Sequence, residues 1–265
     1  MLGLPMKIQL DDQAHTTCER WGTIGPVILC VHGGGGSRKS WTRTAERLSD
    51  RYQVVAYDQR GHGDSARVAG PMAYSRGVAD LRNVADAVGG ADFVIGHSWG
   101  GAVVILAGAS VARRGVVAID PPVVQPTRDW YENYIAELDG LFAQTGEARD
   151  AAVRASVAAW HWSDAEARVH AMHAMTTEPI IRLRDENRGC DLRKDIASYS
   201  MPLLLLLAGK RGSVNPEPVY DEVLSHRAPT VSIVSFEDQG HSLHRTAFEP
   251  YIDALEAFLT AAPPA

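Results

Sequence analysis

DFVIGHSWGGAVVILAGASVA, residues 92–112, is a short apolar run, a glycine-rich turn and a longer apolar run. The first run ends at a glycine and predicts a strand over 92–96. The second is long enough to predict a buried helix over 102–112. Between them, GHSWGG (96–101) has the form G-x-S-x-G. In a strand–turn–helix setting this pattern places Ser98 on a sharp turn with its hydroxyl exposed above the sheet. Side chains at 96 and 100 would collide with the neighbouring strand and helix, which is why both are glycine. The helix that follows would aim its positive N-terminal end at the turn. A glycine turn without chemistry is the plainer reading, and the flanking strand and helix weigh against it.

The same rhythm extends in both directions. MKIQL (6–10), AHTTCERW (14–21), PVILCV (26–31), YQVVAY (52–57), GVVAI (115–119), LLLLLA (203–208) and VSIVSF (231–236) read as strands. SWTRTAERL (40–48), residues 75–88 and a segment near 217–226 read as helices. In a last helix Phe248, Tyr251, Ile252, Leu255, Phe258 and Leu259 form one apolar stripe. Strand–helix alternation predicts an α/β fold with a mostly parallel eight-stranded sheet and helices on both faces. Residues 121 to about 200 break the rhythm, with helical pattern and aromatic content but no convincing strand. The expected organisation is a core in two parts, 1–122 and 200–265, with a helical cap or lid insertion at 123–199. The plainer reading is a set of core helices covering the sheet.

Two further loops carry candidate chemistry. HGGGGS (32–37) follows the strand VILCV, and its glycines let backbone N–H groups approach an oxyanion closely. Gly34 would supply one N–H and Trp99 the other. A phosphate cradle is the rival, but no GK[ST] follows. GHSLH (240–244) follows a late strand, where His241 could act as a general base toward Ser98. His244 is its neighbour and rival. Of the ten histidines, His170 and His173 form an i, i+3 pair without an evident third ligand, so no metal is expected.

Composition sets the outer limits. The chain has 265 residues, 45% hydrophobic and 22% charged, enough for one large domain. The net charge of −6 argues against nucleic acid and anionic membrane as partners. Cys18, Cys30 and Cys190 show no paired spacing, which suits a reducing compartment. No leader pattern and no long apolar segment is visible, so a cytoplasmic protein is the expectation.

HGGGGSRKSW, DQRGHGDS (58–65), GHSWGG and GHSLH follow one another in an order and spacing that resembles the α/β-hydrolase fold superfamily, in its capped serine-hydrolase branch. The resemblance covers nearly all of the chain. It implies Ser98 as nucleophile, His241 as base, and Gly34 and Trp99 as oxyanion donors, with no cofactor. Asp58, Arg60 and Gly61 match a turn that is mostly architectural in the family. The chain departs from the pattern where many relatives carry the third triad member, because Gly212 stands at that position. Asp120, in GVVAIDPP, lies just past the preceding strand, as in relatives that carry the acid there. A turn-capping role before proline is its plainer reading. Glu217 and Asp238 stay open as alternatives. Trp130, Trp160 and Met172 are expected to line an apolar pocket, although such residues also pack helices together.

The resemblance therefore implies hydrolysis of a small-to-medium ester or lactone, a small-molecule partner, through an acyl-enzyme on Ser98. A C–C bond hydrolase of the same fold, or a ligand-binding member with little turnover, are the alternatives, and perhydrolysis is a conceivable side activity. A homodimer is left open. A nucleophilic aspartate mechanism is excluded by the serine at 98.

Overall fold

The computed structural model describes residues 3–65 and 70–263. Eight strands run in chain order: β1 (Leu4–Gln9), β2 (His15–Trp21), β3 (Val27–Val31), β4 (Gln53–Tyr57), β5 (Ala91–His97), β6 (Ala112–Ile119), β7 (Leu203–Ala208) and β8 (Val231–Phe236). They form one sheet in the order β1-β2-β4-β3-β5-β6-β7-β8. β2 pairs antiparallel with β1 and with β4, and every later pairing is parallel.

The helices are α1 (Thr42–Leu48), α2 (Tyr74–Ala87), α3 (Trp99–Ala107), α4 (Arg128–Phe142), α5 (Gly146–Ser156), α6 (Trp162–Ala174), α7 (Glu178–Glu186), α8 (Arg193–Ala197), α9 (Glu217–Ser225), α10 (Leu243–Thr246) and α11 (Phe248–Ala261). The sheet is buried on both faces, which explains the unbroken leucine run of β7. Leu203, Leu205 and Leu207 enter the core shared with α2, α3 and α9. Leu204 and Leu206 enter the other, with Trp41, Tyr251, Ile252 and Leu255. A period of two with both faces apolar gives a continuous run rather than an alternation.

Two boundaries differ from the sequence expectation. The helix expected over 102–112 stops at Ala107, where Gly108 turns the chain at φ +42. β6 then starts at Ala112 rather than 115, because Arg113 and Arg114 sit in the strand with their charges turned outward. Polar side chains at the exposed start of a strand hide it from an apolar-run criterion.

Between β6 and β7 the chain forms five helices, α4 to α8, and no strand beyond an isolated bridge of Val124 to Asp191. α8 packs against α3 and α9. α6 meets α1 and the single turn at Arg38–Trp41, so these helices reach the glycine loop after β3. No helix among the described residues is long and apolar enough to cross a membrane.

Candidate active site

The elbow sits at the carboxyl end of β5, where α3 begins. Ser98 adopts φ +53 and ψ −126 as the residue before the helix. Its N–H donates to the Ile119 carbonyl at 2.9 Å, and its carbonyl accepts from Ala102 at 3.1 Å. A Cβ on Gly96 would stand 2.1 Å from the Gly100 carbonyl oxygen, and one on Gly100 would stand 2.4 Å from that of Val31. Both positions therefore exclude any other side chain.

Asp120 directly follows β6 next door, also at positive φ, +39. Among the described residues only Gln13, Ser98 and Asp120 do this without being glycine. Such backbone costs about 1–3 kcal/mol per residue and persists where its surroundings enforce it. Asp120 is fully buried. Its Oδ1 accepts from the Ser213 hydroxyl at 2.7 Å and from the Ala208 N–H at 3.3 Å; its Oδ2 accepts from the Val214 N–H at 3.2 Å. The remaining contact is His241, whose Nδ1 lies 2.6 Å from Oδ2. Because a carboxylate accepts, Nδ1 carries the proton and Nε2 is left as the basic nitrogen.

The other two acids are elsewhere. Glu217 is exposed against Lys210, and Asp238 is exposed. The position where many such folds place the acid is closed: a Cβ on Gly212 would come within 2.7 Å of the Gly240 Cα. The loop after β7 supplies donors to Asp120 in place of a carboxylate of its own. His244, the rival base, is buried behind the site, its ring 4.3 Å from His97 and 5.7 Å from Trp41. Desolvation holds it well below the ordinary histidine range.

His97 was not singled out by sequence, although it lies inside GHSWGG. Its Nε2 lies 3.0 Å from the His241 carbonyl, to which it donates, and its ring lies 4.7 Å from that of His241. Burial pushes it well below the usual histidine value, with His244 and His241 acting in the same direction. It thus stays neutral and ties the Ser98 turn to the loop that carries His241.

Two more neutral histidines hold the glycine loop. His32 Nδ1 donates to the Gly33 carbonyl at 2.8 Å while Nε2 accepts from the Gln59 N–H at 3.0 Å. His62 Nδ1 donates to the Arg60 carbonyl at 2.7 Å while Nε2 accepts from the Gly35 N–H at 3.0 Å. Each needs one protonated and one bare nitrogen. Burial pushes His32 down to about 4 and His62 down to about 3. The DQRGHGDS turn is architectural in the same way: Asp58 receives the Arg38 backbone and guanidinium and the Asp64 N–H.

Ser98, His241, Gly34 and Trp99 line one cavity of about 280 Å³, together with Trp130, Trp160, Tyr74, Tyr131 and Tyr134. The N–H groups of Gly34 and Trp99 find no acceptor among the described residues, as an oxyanion site requires. No hydrogen bond joins Ser98 to His241 among the described residues, and His241 is held through Nδ1 by Asp120. Met172 is the exception to the expected lining. It is fully buried in the apolar core and does not border the cavity, because its side of α6 packs against neighbouring helices. His170 and His173 also separate: His170 meets Ser37 and Asp64, His173 meets Asp150.

The helices between β6 and β7 bond directly to the glycine loop. Tyr134 donates from its hydroxyl to the Gly34 carbonyl at 3.2 Å, and Arg168 donates to the Gly35 carbonyl at 2.7 Å. Arg168 and a second arginine, Arg245, also line the cavity. Neither was legible in the sequence, since a single arginine in a helix carries no pattern.

A family model described as the alpha/beta hydrolase family matches residues 28–254. N-formylmaleamate deformylase of Pseudomonas putida is 26% identical over 247 residues, covering 91% of each chain. Epoxide hydrolase B of Mycobacterium tuberculosis is 31% identical over 154 residues, covering 46% of this chain and 43% of its own. The crystal structure of E-2-(acetamidomethylene)succinate hydrolase superposes with a TM-score of 0.78 at 20% identity, covering 98% of this chain and 100% of that one.

Proposed function

The chain belongs to the alpha/beta hydrolase family, and on that premise we propose that it is a serine hydrolase removing a small acyl group from an ester, lactone or N-acyl compound. The observation that carries the reading is the Asp120–His241 bond at 2.6 Å, set in the cavity that Ser98 also lines. His241 Nε2 takes the Ser98 proton as the hydroxyl attacks a carbonyl. The Gly34 and Trp99 N–H groups receive the oxyanion. His241 then protonates the leaving group, and water releases the acyl-enzyme by the same steps in reverse. Asp120 fixes the imidazole tautomer and stabilises the imidazolium. The helices of the insertion act as a cap, holding the glycine loop through Tyr134 and Arg168 and walling the cavity with Trp130 and Trp160.

Similarity to N-formylmaleamate deformylase along almost the whole chain supports including an N-acyl bond among the substrates. Epoxide opening is disfavoured, because Ser98 stands where a carboxylate nucleophile would be needed. The test is labelling by a fluorophosphonate, with mass spectrometry of the adduct, alongside turnover of p-nitrophenyl acetate. An adduct on Ser98 and turnover abolished by Ser98→Ala are expected. A folded protein that takes no label and turns over no ester would point to a binding member of the fold.

A further inference from the structure

Two half-buried arginines, Arg168 and Arg245, border the cavity, and neither forms an ion pair among the described residues. The Arg245 side chain makes no hydrogen bond or ion pair among the described residues, and its Nε is buried without a partner. It lies over Trp160, with the guanidinium carbon 4.2 Å from the ring centroid. Burial holds it down at about 10, against the raising influence of Asp164 and with Arg168 acting alongside. It is still a cation at neutral pH. Arg168 uses only Nη1, on the Gly35 carbonyl and the Tyr134 hydroxyl, and its Nε is likewise buried and unpaired.

The nearby acids answer them only in part: the charge of Asp164 acts on Arg245 through space. Asp164 is engaged by Arg43 at 3.2 Å. Glu137 is the one carboxylate bordering the cavity, and it is exposed. Each has a buried Nε with no partner, and three arginines, Arg43, Arg168 and Arg245, stand against the one buried acid Asp164, so the cavity holds donor capacity and positive charge that fit an anion arriving with the ligand. A guanidinium is a planar donor fork that matches a carboxylate in two parallel bonds, and the Trp160 face orients one fork. The cavity is small and its walls are aromatic, which favours a short planar acid.

We propose that Arg168 and Arg245 form a carboxylate-binding subsite, so that the acyl compound cleaved at Ser98 carries a free carboxylate. This rests on the hydrolase reading of the same cavity. Substrate enters with its carboxylate on the two guanidiniums and its scissile carbonyl toward Ser98. A neutral analogue leaves those donors unused and is bound less well.

The experiment compares monoethyl maleate with diethyl maleate as substrates, and titrates maleate calorimetrically into the wild type, Arg245→Met and Arg245→Lys. The wild type should prefer the monoester by about tenfold or more in kcat/KM, the effect of a charge-assisted hydrogen-bonded pair. Arg245→Met should lose that preference, chiefly through KM, and bind maleate about tenfold more weakly; Arg245→Lys should retain part of both. Equal use of the two esters by the wild type overturns the subsite and leaves the hydrolase reading standing. Tighter binding of inorganic phosphate than of maleate also overturns it. If neither ester is turned over while maleate binds in an Arg245-dependent way, the subsite stands and the hydrolase reading fails.

Discussion

Asp120 and His241 stand 121 residues apart in the chain and meet at 2.6 Å, the carboxylate fully buried and the imidazole a quarter exposed. The bond joins the end of β6 to the loop after β8, across the intervening strand β7. Replacing Asp120 by Asn keeps the volume but offers a donor where His241 needs an acceptor. Turnover should fall by about 10⁴ with the fold retained by circular dichroism. Glu217→Gln and Asp238→Asn should stay within a few-fold. An active Asp120→Asn would reduce Asp120 to a turn residue.

Gly96→Ala tests the elbow sterically. Its Cβ meets a backbone oxygen at 2.1 Å, which no side-chain rotation relieves. Overpacking against backbone should cost about 3 kcal/mol or more. A urea melt reads this directly, and an unchanged midpoint would mean that the turn is looser than its geometry.

The loop-holding histidines predict a dependence of stability on pH. Their folded values lie below the unfolded value of 6.5, at about 4 for His32 and about 3 for His62. As pH falls below 6.5 the unfolded chain takes up protons that the folded chain refuses. Stability is therefore intact above that value and declines below it. Each group contributes about 1.4 kcal/mol per pH unit until its folded value is reached. His97 and His244 are shifted the same way. Urea midpoints at pH 7.5 and pH 5 should differ clearly; equal midpoints would show these rings already protonated in the fold.

His97→Phe removes the donor to the His241 carbonyl while filling similar space. Leaving that carbonyl unpaired should cost about 1–3 kcal/mol. The base loop should loosen, lowering kcat about tenfold with little change in KM. A variant of normal kcat would make His97 a packing residue only.

Much of this architecture is legible in the sequence. The G-x-S-x-G turn works locally, through contacts within six residues and the strand beside it, so its sequence is nearly its structure. The β7 leucines and the α11 stripe announced their burial by period alone. Asp120 could be named only as one of three candidates, because its role depends on donors from Ala208, Ser213 and Val214, which the chain brings back from far away. Arg245 and Met172 failed for the same reason in opposite senses. Which way a helical side chain faces among several packed helices is settled by tertiary contacts, so Met172 turned into the core and Arg245 toward the cavity.

The close approach of Gly212 to Gly240 bears on how the acid's location could change within a lineage. At 2.7 Å from a neighbouring Cα, a side chain at 212 has no room, and the donors now serving Asp120 come from that very loop. An acid cannot be tried at the second place while the first is kept. Asp120→Asn combined with Gly212→Asp should therefore be no more active than Asp120→Asn alone. The two arrangements are separated by a gap that single substitutions do not bridge, and passage between them requires the histidine loop to be rebuilt first.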